Sequence, residues 1–198
     1  YRSTSQVSGS SPTGLPAFDF SDAGNDPDPN GNGTPFEDGE NDPLFFDVDL
    51  SIIGVALNAS IDGAVVTFDY TVRNLGDVEL TNISIPHNLD TIFGAGNYSI
   101  EEGPFYPDLY RGLLLNENYD GSMDTELIFG GSLKAGVTER FRVVVRVSDT
   151  PELGMGPGMY TTQVTVTADG PNGQITDVSD DGDDTDMDGN GQASSSGE

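Results

Sequence analysis

The two ends of this chain are copies of one another. Ser21, Asp22, Gly24, Asp26 and Asp28 recur 158 positions later as Ser179, Asp180, Gly182, Asp184 and Asp186. Gly31, Asn32, Gly33, Gly39 and Glu40 continue the series, without a gap, as Gly189, Asn190, Gly191, Gly197 and Glu198. Upstream the spacing becomes 159, with Tyr1, Val7, Pro12 and Gly14 falling on Tyr160, Val166, Pro171 and Gly173. A segment repeated on either side of one domain's length of chain points to an array of like units, each touching mainly its neighbours. With 198 residues there is room for one ordinary domain plus extensions. The expected organisation is therefore a strand-like segment over 1–17, related to the last strand of a unit and belonging to or pairing with a neighbour, then a linker over 18–43. A β-sandwich over 44–176 and a second copy of the linker over 177–198 complete it.

Charge separates the linkers from the middle. The chain carries 34 Asp and Glu against 7 Lys and Arg, a formal net charge of -27, which disfavours binding to a phosphate backbone and leaves nucleic acid out of the expected partners. Sixteen of those acids lie in 19–42 and 177–198, two stretches without a Lys or Arg. Two carboxylates about 4 Å apart repel by about 4 kcal/mol at an effective dielectric near 20, so gathering several requires a cation. There is no cysteine, hence neither disulfide nor thiolate metal site, and a bound metal is the natural substitute as a staple. No apolar run is long enough to span a membrane, so no membrane insertion is expected. No charged-then-apolar leader opens at Tyr1, and the chain reads as a mature or excerpted form.

Between the acidic ends the hydrophobic period is two. Val66, Phe68, Tyr70 and Val72 alternate with Thr67, Asp69, Thr71 and Arg73; Phe141, Val143, Val145 and Val147 alternate with Arg140, Arg142 and Arg146. A third run, Tyr160 to Thr167, alternates likewise, and each predicts a half-buried strand. Further strands are expected over 45–57, 78–85, 113–115 and 126–129, separated by turn signals at Asp62-Gly63, Gly76-Asp77 and Ala135-Gly136. Seven or more short strands without a helical period predict an all-β sandwich. The stretch 88–118, rich in Gly, Pro, Tyr and Asn, reads as a long decorated connection, with Tyr98, Phe105, Tyr106 and Tyr110 either forming a contact surface or capping a core edge.

The first acidic segment contains a metal-loop pattern. Asp26-Pro-Asp28-Pro-Asn30-Gly31, followed by five residues and then Glu37, fits D-x-[DN]-x-[DN]-G-x5-E. Side-chain oxygens at alternate positions converge on one point, the glycine permits a sharp turn, the Asn32 carbonyl adds a ligand, and Glu37 closes the shell with two oxygens. Such an all-oxygen set suits Ca2+ over transition metals. Pro27, Pro29 and Pro35 preclude flanking helices, so this is a calcium loop on a linker. The C-terminal copy, Asp184-Thr-Asp186-Met-Asp188-Gly189, keeps the first half but has Ser195 in place of the closing Glu. The expected metal ligands are Asp22, Asp26, Asp28, Asn30, Asn32 and Glu37 in one linker and Asp180, Asp184, Asp186, Asp188 and Asn190 in the other, with Asp181, Glu198 or the next unit as a source of the missing ligand.

Val66-Thr-Phe-Asp-Tyr-Thr-Val-Arg-Asn, Gly76-Asp-Val-Glu-Leu-Thr-Asn-Ile, Leu133-Lys-Ala-Gly before a Phe-x-Val strand, and the run from Gly173 to Asp188 together resemble the tandem immunoglobulin-like repeats of large bacterial surface and secreted proteins. That resemblance spans about 47–188 and implies an immunoglobulin-like Greek-key β-sandwich, a structural or adhesive role, and an extracellular or bacterial cell-surface location. The insertion at 88–118 and the imperfect second loop depart from the pattern.

Asn32, Asn58, Asn82 and Asn97 each begin an Asn-x-Ser/Thr triplet, the acceptor pattern for glycosylation, and would permit a glycan coat. Catalysis is not expected, since His87 is the only histidine, reads as a loop residue after Pro86, and no G-x-S-x-G motif occurs. Two functions are consistent with these features. One is a structural repeat of an extracellular filament or stalk, joined head to tail to copies of itself and rigidified by calcium at the linkers; the other is an adhesin domain binding a glycan or protein receptor through 88–118.

Overall fold

The computed structural model describes residues 2–21, 28, 31, 33, 44–45, 49–108, 112–148 and 159–193. The chain divides into two units, 1–48 and 49–198. In the first, β1 (Arg2–Ser3) pairs with β4 (Leu44–Phe45), and β2 (Gln6–Ser10) forms an antiparallel hairpin with β3 (Pro16–Phe20).

The second unit is a β-sandwich of two five-stranded sheets. Its strands are β5 (Ile53–Asp62), β6 (Val65–Asn74), β7 (Leu80–Ser84), β8 (Tyr98–Phe105), β9 (Leu113–Leu115), β10 (Ile128–Leu133), β11 (Thr138–Val147), β12 (Thr165–Gly170), β13 (Gly173–Val178) and β14 (Asp180–Asp181). One sheet runs β14-β5-β6-β11-β8 and the other β13-β12-β7-β10-β9. Lettered in chain order, β5-β6-β11-β8 is the A-B-E-D sheet and β13-β12-β7 the G-F-C sheet, the constant-type immunoglobulin Greek key. Two additions modify it: β9 and β10 extend the second sheet beyond β7, and β14 runs parallel to β5 on the first sheet's outer edge.

The alternation read in β6 and β11 has the effect that period two demands. Phe68, Tyr70 and Val72 from β6 and Phe141, Val143 and Val145 from β11 are buried between the sheets, facing Leu80, Leu133, Val164, Val166 and Ala168. Tyr70 and Phe141 stack with centroids 4.8 Å apart and planes 8° from parallel. Burying a side chain of this size stabilises by about 1.5–3 kcal/mol, which lets a cysteine-free sandwich hold together. Across β5 and β6 the register is unbroken from Ile53↔Asn74 to Asp62↔Val65, turning at Gly63, whose φ of 61° suits glycine.

The structure departs from the sequence expectations in three places. The connection over 88–118 is not irregular throughout: it holds a four-residue helix α1 (Asp90–Phe93) and the eight-residue edge strand β8. Its pairing to β11 shifts register twice, between Arg142 and Val144 and between Val144 and Val145, and Pro104 near its end cannot donate to a ladder. A bulged edge strand blurs the period by which strands are recognised. The strand expected from Tyr160 begins only at Thr165, and that expected over 45–57 is divided, with Phe45 in β4, residues 49–52 outside any strand and β5 starting at Ile53. His87 lies in a loop, as read, and is buried there at 2% exposure. Its Nδ1 lies 2.7 Å from the Tyr70 hydroxyl and its Nε2 2.9 Å from Thr162 Oγ1, and Phe68 meets it edge-on.

Candidate calcium loops

The acidic tail expected to be a linker from 177 onward is applied to the sandwich as far as Thr185. Asp177, buried in β13, accepts the Val55 backbone N–H at 2.9 Å. The chain then turns into β14, which pairs Asp180 with Ala56 and Asp181 with Leu57, and Gly182 N–H donates to the Leu57 carbonyl at 3.2 Å. Asn58 Nδ2 donates to Asp183 Oδ1 at 3.3 Å. Next, Thr185 is pressed against β5 at 2% exposure. A Cβ added at Gly54 would stand 2.9 Å from the Thr185 carbonyl oxygen and 3.0 Å from its Cβ, so only glycine at 54 admits the segment this closely. Residues 53–57 are consequently buried on both faces of β5.

Beyond Thr185 the chain closes a small loop. Gly189 N–H donates to the Asp186 carbonyl at 3.1 Å, and Gly191 N–H donates to the Asp186 carboxylate, 3.2 Å from Oδ1 and 3.1 Å from Oδ2. Gly189 and Gly191 have φ of 69° and 77°, the left-handed region that glycine enters without strain. Asp184 Oδ1 accepts the Asp186 N–H, Asp188 Oδ1 accepts the Asn190 N–H, and Asn190 Oδ1 accepts the Gln192 N–H, a chain of side-chain-closed turns that ends at buried Ala193.

The same loop stands in the first unit. Gly31 N–H donates to the Asp28 carbonyl at 2.9 Å and Gly33 N–H to Asp28 Oδ2 at 2.8 Å, with φ of 68° at Gly31 and 80° at Gly33. Each of these residues lies 158 positions before its counterpart. The pattern read above starts at Asp26 and at Asp184; a start two residues later keeps its first half, with Gly39 and Gly197 at the twelfth position. The described hydrogen bonds tie Asp28 to Gly33 and Asp186 to Gly191, each carboxylate to the glycine five residues on, which is the sixth position counted from that later start. In that frame Glu40 and Glu198 stand one place past the twelfth position.

Of the expected ligands, Asp22, Asp26, Asn30, Asn32 and Glu37 lie outside the described residues, as does Tyr110 of the proposed contact surface. Asp186, Asp188 and Asn190 share the C-terminal loop, Asp184 closes the turn before it, and Asp180 is buried in β14. Among the described residues no three His, Cys, Asp or Glu side chains are close enough together to hold a metal ion. The alternating oxygen donors of 186–190 suit a hard cation in chemistry, and their shell is not closed by the described residues.

The remaining sites are distributed over the sandwich. Asn97 is buried and its Nδ2 donates to the Phe93 carbonyl at 3.0 Å, so a glycan there would displace a buried bond. Asn82, exposed at a φ of 49°, donates to Asp169 at 2.8 Å, and Asn58 is half-buried beside Asp183. Tyr98 and Tyr106 pack against the core, their hydroxyls donating to Asp90 and to the Leu113 carbonyl. Burial, with the Asp90 carboxylate beside it, raises the Tyr98 pKa. Sequence reasoning missed Gly54, Asp177 and Thr185 as the positions that fix the loop. Asp177 alone carried a signal, an acid inside the alternating strand Gln174-Ile-Thr-Asp-Val178.

No family model matches the chain, and no curated protein matches it. Among solved structures, the chain is similar to an exo-β-N-acetylglucosaminidase of glycoside hydrolase family 20 from Vibrio harveyi in complex with N-acetylglucosamine, at 13% identity and a TM-score of 0.33. The match covers 66% of this chain and 18% of that one, and an inactive mutant of the same enzyme matches equally. The chain thus spans about a fifth of the length of those enzymes.

Proposed function

We propose that this chain is a structural, non-catalytic repeat unit of an extracellular bacterial filament or surface stalk, in which calcium at the linkers stiffens the joint between successive sandwiches. One observation supports this above the others: Asp28 with Gly33 and Asp186 with Gly191 close the same loop at the two ends of one sandwich-length of chain. An acidic loop of this kind, without a cation, is driven open by repulsion among its own carboxylates; with one, it contracts and sets the angle between the units it joins. The docked segment 177–186 complements this, since a loop anchored on β5 at Gly54 transmits its geometry to the sandwich rather than to a free tail. The sole histidine is committed to Tyr70 and Thr162, in keeping with a structural role.

The test is calcium removal. Extracellular calcium modules bind at about 10⁻⁴–10⁻³ M, so 10 mM calcium should raise unfolding free energy by about 1–3 kcal/mol and chelation should abolish the gain. X-ray scattering should show the molecule shorter and stiffer with calcium. Identical scattering and stability with and without chelator would sink the proposal.

A further inference from the structure

The hairpin β2–β3 has the register of β12–β13, the closing hairpin of the sandwich, partner for partner over five pairs. In β12–β13 the partners are Thr165↔Val178, Val166↔Asp177, Thr167↔Thr176, Ala168↔Ile175 and Asp169↔Gln174; in β2–β3 they are Gln6↔Phe20, Val7↔Asp19, Ser8↔Phe18, Gly9↔Ala17 and Ser10↔Pro16. Every first-strand residue is displaced by 159 and every second-strand residue by 158. The difference lies in the turn: Pro12, Thr13 and Gly14 separate Ser11 from Leu15, which are joined by a 2.8 Å backbone bond, where only Pro171 and Asn172 separate Gly170 from Gly173. The open end matches too. Ser21 N–H donates to the Ser5 carbonyl while Ser21 Oγ accepts the Ser5 N–H, and Ser179 makes the same two bonds to Val164.

Their surroundings differ. In β12–β13 the inward row is Val166, Ala168, Ile175 and Asp177, with Val166 fully buried, Asp177 capping Val55, and β12 laid against β7 through Thr167↔Ser84 and Asp169↔Thr81. The equivalent row of the first hairpin is Val7, Gly9, Ala17 and Asp19, and Val7 is 67% exposed.

We infer that β2–β3 is an interaction element that completes the G-F-C sheet of a second copy of this unit carrying β5 to β11 without a β12–β13 of its own, occupying beside that copy's β7 the place that β12–β13 takes in the sandwich described above. The occupant of the exposed face is the portion of the second copy from β5 to β11. Ser8 then lies opposite Ser84 of the second copy, Ser10 opposite its Thr81, and the Asp19 carboxylate takes its Val55 N–H. Burial of the Val7 row supplies the apolar gain, and the Asp19 bond fixes register. This inference shares with the proposed function the idea of repeated units, and it does not depend on the ion.

The experiment extends the full chain by a copy of residues 49–159 placed ahead of Tyr1, which gives Tyr1 the place after Met159 that Tyr160 has in the chain. Because the chain has no cysteine, Ser8→Cys combined with Ser84→Cys in the added copy leaves one possible disulfide, and paired strands hold Cα atoms within bridging distance. Oxidation in the presence of chelator should form that bond nearly quantitatively. Amide exchange over 6–10 should slow by about 100-fold relative to the unextended chain. Val7→Asp should reverse the protection in the extended chain and leave the stability of the unextended chain unchanged. If the disulfide fails to form, and exchange over 6–10 stays as fast as in the unextended chain while the added copy is folded by circular dichroism, the inference is overturned. A chain that forms the disulfide but ignores calcium would overturn the proposed function alone.

Discussion

Gly191 N–H lies 3.1 Å from Oδ2 of Asp186, a closure whose twin joins Gly33 to Asp28 at 2.8 Å. The tie holds each carboxylate against the backbone N–H of the glycine five residues on. Replacing Asp186 by Asn removes a charge while retaining an oxygen for the glycine. Calcium affinity at the C-terminal loop should fall about tenfold or more, equivalent to ~1.4 kcal/mol, with unfolding in chelator unchanged. Titration calorimetry on the two proteins measures it, and equal affinities would count against the frame beginning at Asp186.

The approach of Thr185 to Gly54 gives a second expectation. Gly54→Ala places a methyl 2.9 Å from a backbone oxygen that cannot swing aside, so the segment must lift from β5 or the strand must deform. The cost should be about 1–3 kcal/mol in denaturant unfolding. Amides of 180–186 should exchange faster in the variant, which separates lifting of the segment from general weakening of the sandwich.

Equivalent valines in different surroundings provide a third. Val166→Ala removes packing from a fully buried position and should cost about 1–3 kcal/mol, whereas Val7→Ala, at its exposed counterpart, should stay within about 0.5 kcal/mol. Chemical denaturation of both variants tests the pair. A large effect at Val7 would mean that its side chain is buried in the unextended chain.

Acid should weaken the sandwich through His87. Burial lowers its pKa to about 4 from an ordinary 6.5, because the charged imidazolium would lose its hydration. The neutral ring serves the network, one nitrogen donating and the other accepting between Tyr70 and Thr162. The group is neutral in both states above pH 6.5, where its contribution is whole. As pH falls toward 4 the unfolded chain binds a proton that the folded chain refuses, and stability falls by up to about 3 kcal/mol. His87→Asn should flatten this part of the pH profile relative to the unmodified protein. Asp120, whose pKa is lowered by the backbone N–H groups of Ser122, Asp124 and Met123, makes stability fall with acid in both proteins and so cancels in the comparison.

Local chemistry made part of this legible. Strict alternation in β6 and β11 requires one wet face and one dry face, and the sandwich follows. By contrast β8 was hidden, because a bulged edge strand that carries Gly103-Pro104 before its last residue has neither a regular period nor a full ladder. The loops are a related case: acids and glycines spaced by two repeat the first half of the metal pattern two residues later, and the ties of Asp28 to Gly33 and of Asp186 to Gly191 are visible only in the fold.

Residue order by itself determined the all-β character, the repeated ends and the alternating oxygen donors of the loops, since each depends on spacing along the backbone. Tertiary structure alone decided that the acidic tail lies on β5, that Val166 is buried while Val7 is exposed, and that Asp177 caps a strand 122 residues away. Such outcomes depend on which surfaces meet, and identical local sequence has different energy when a facing sheet has removed it from water.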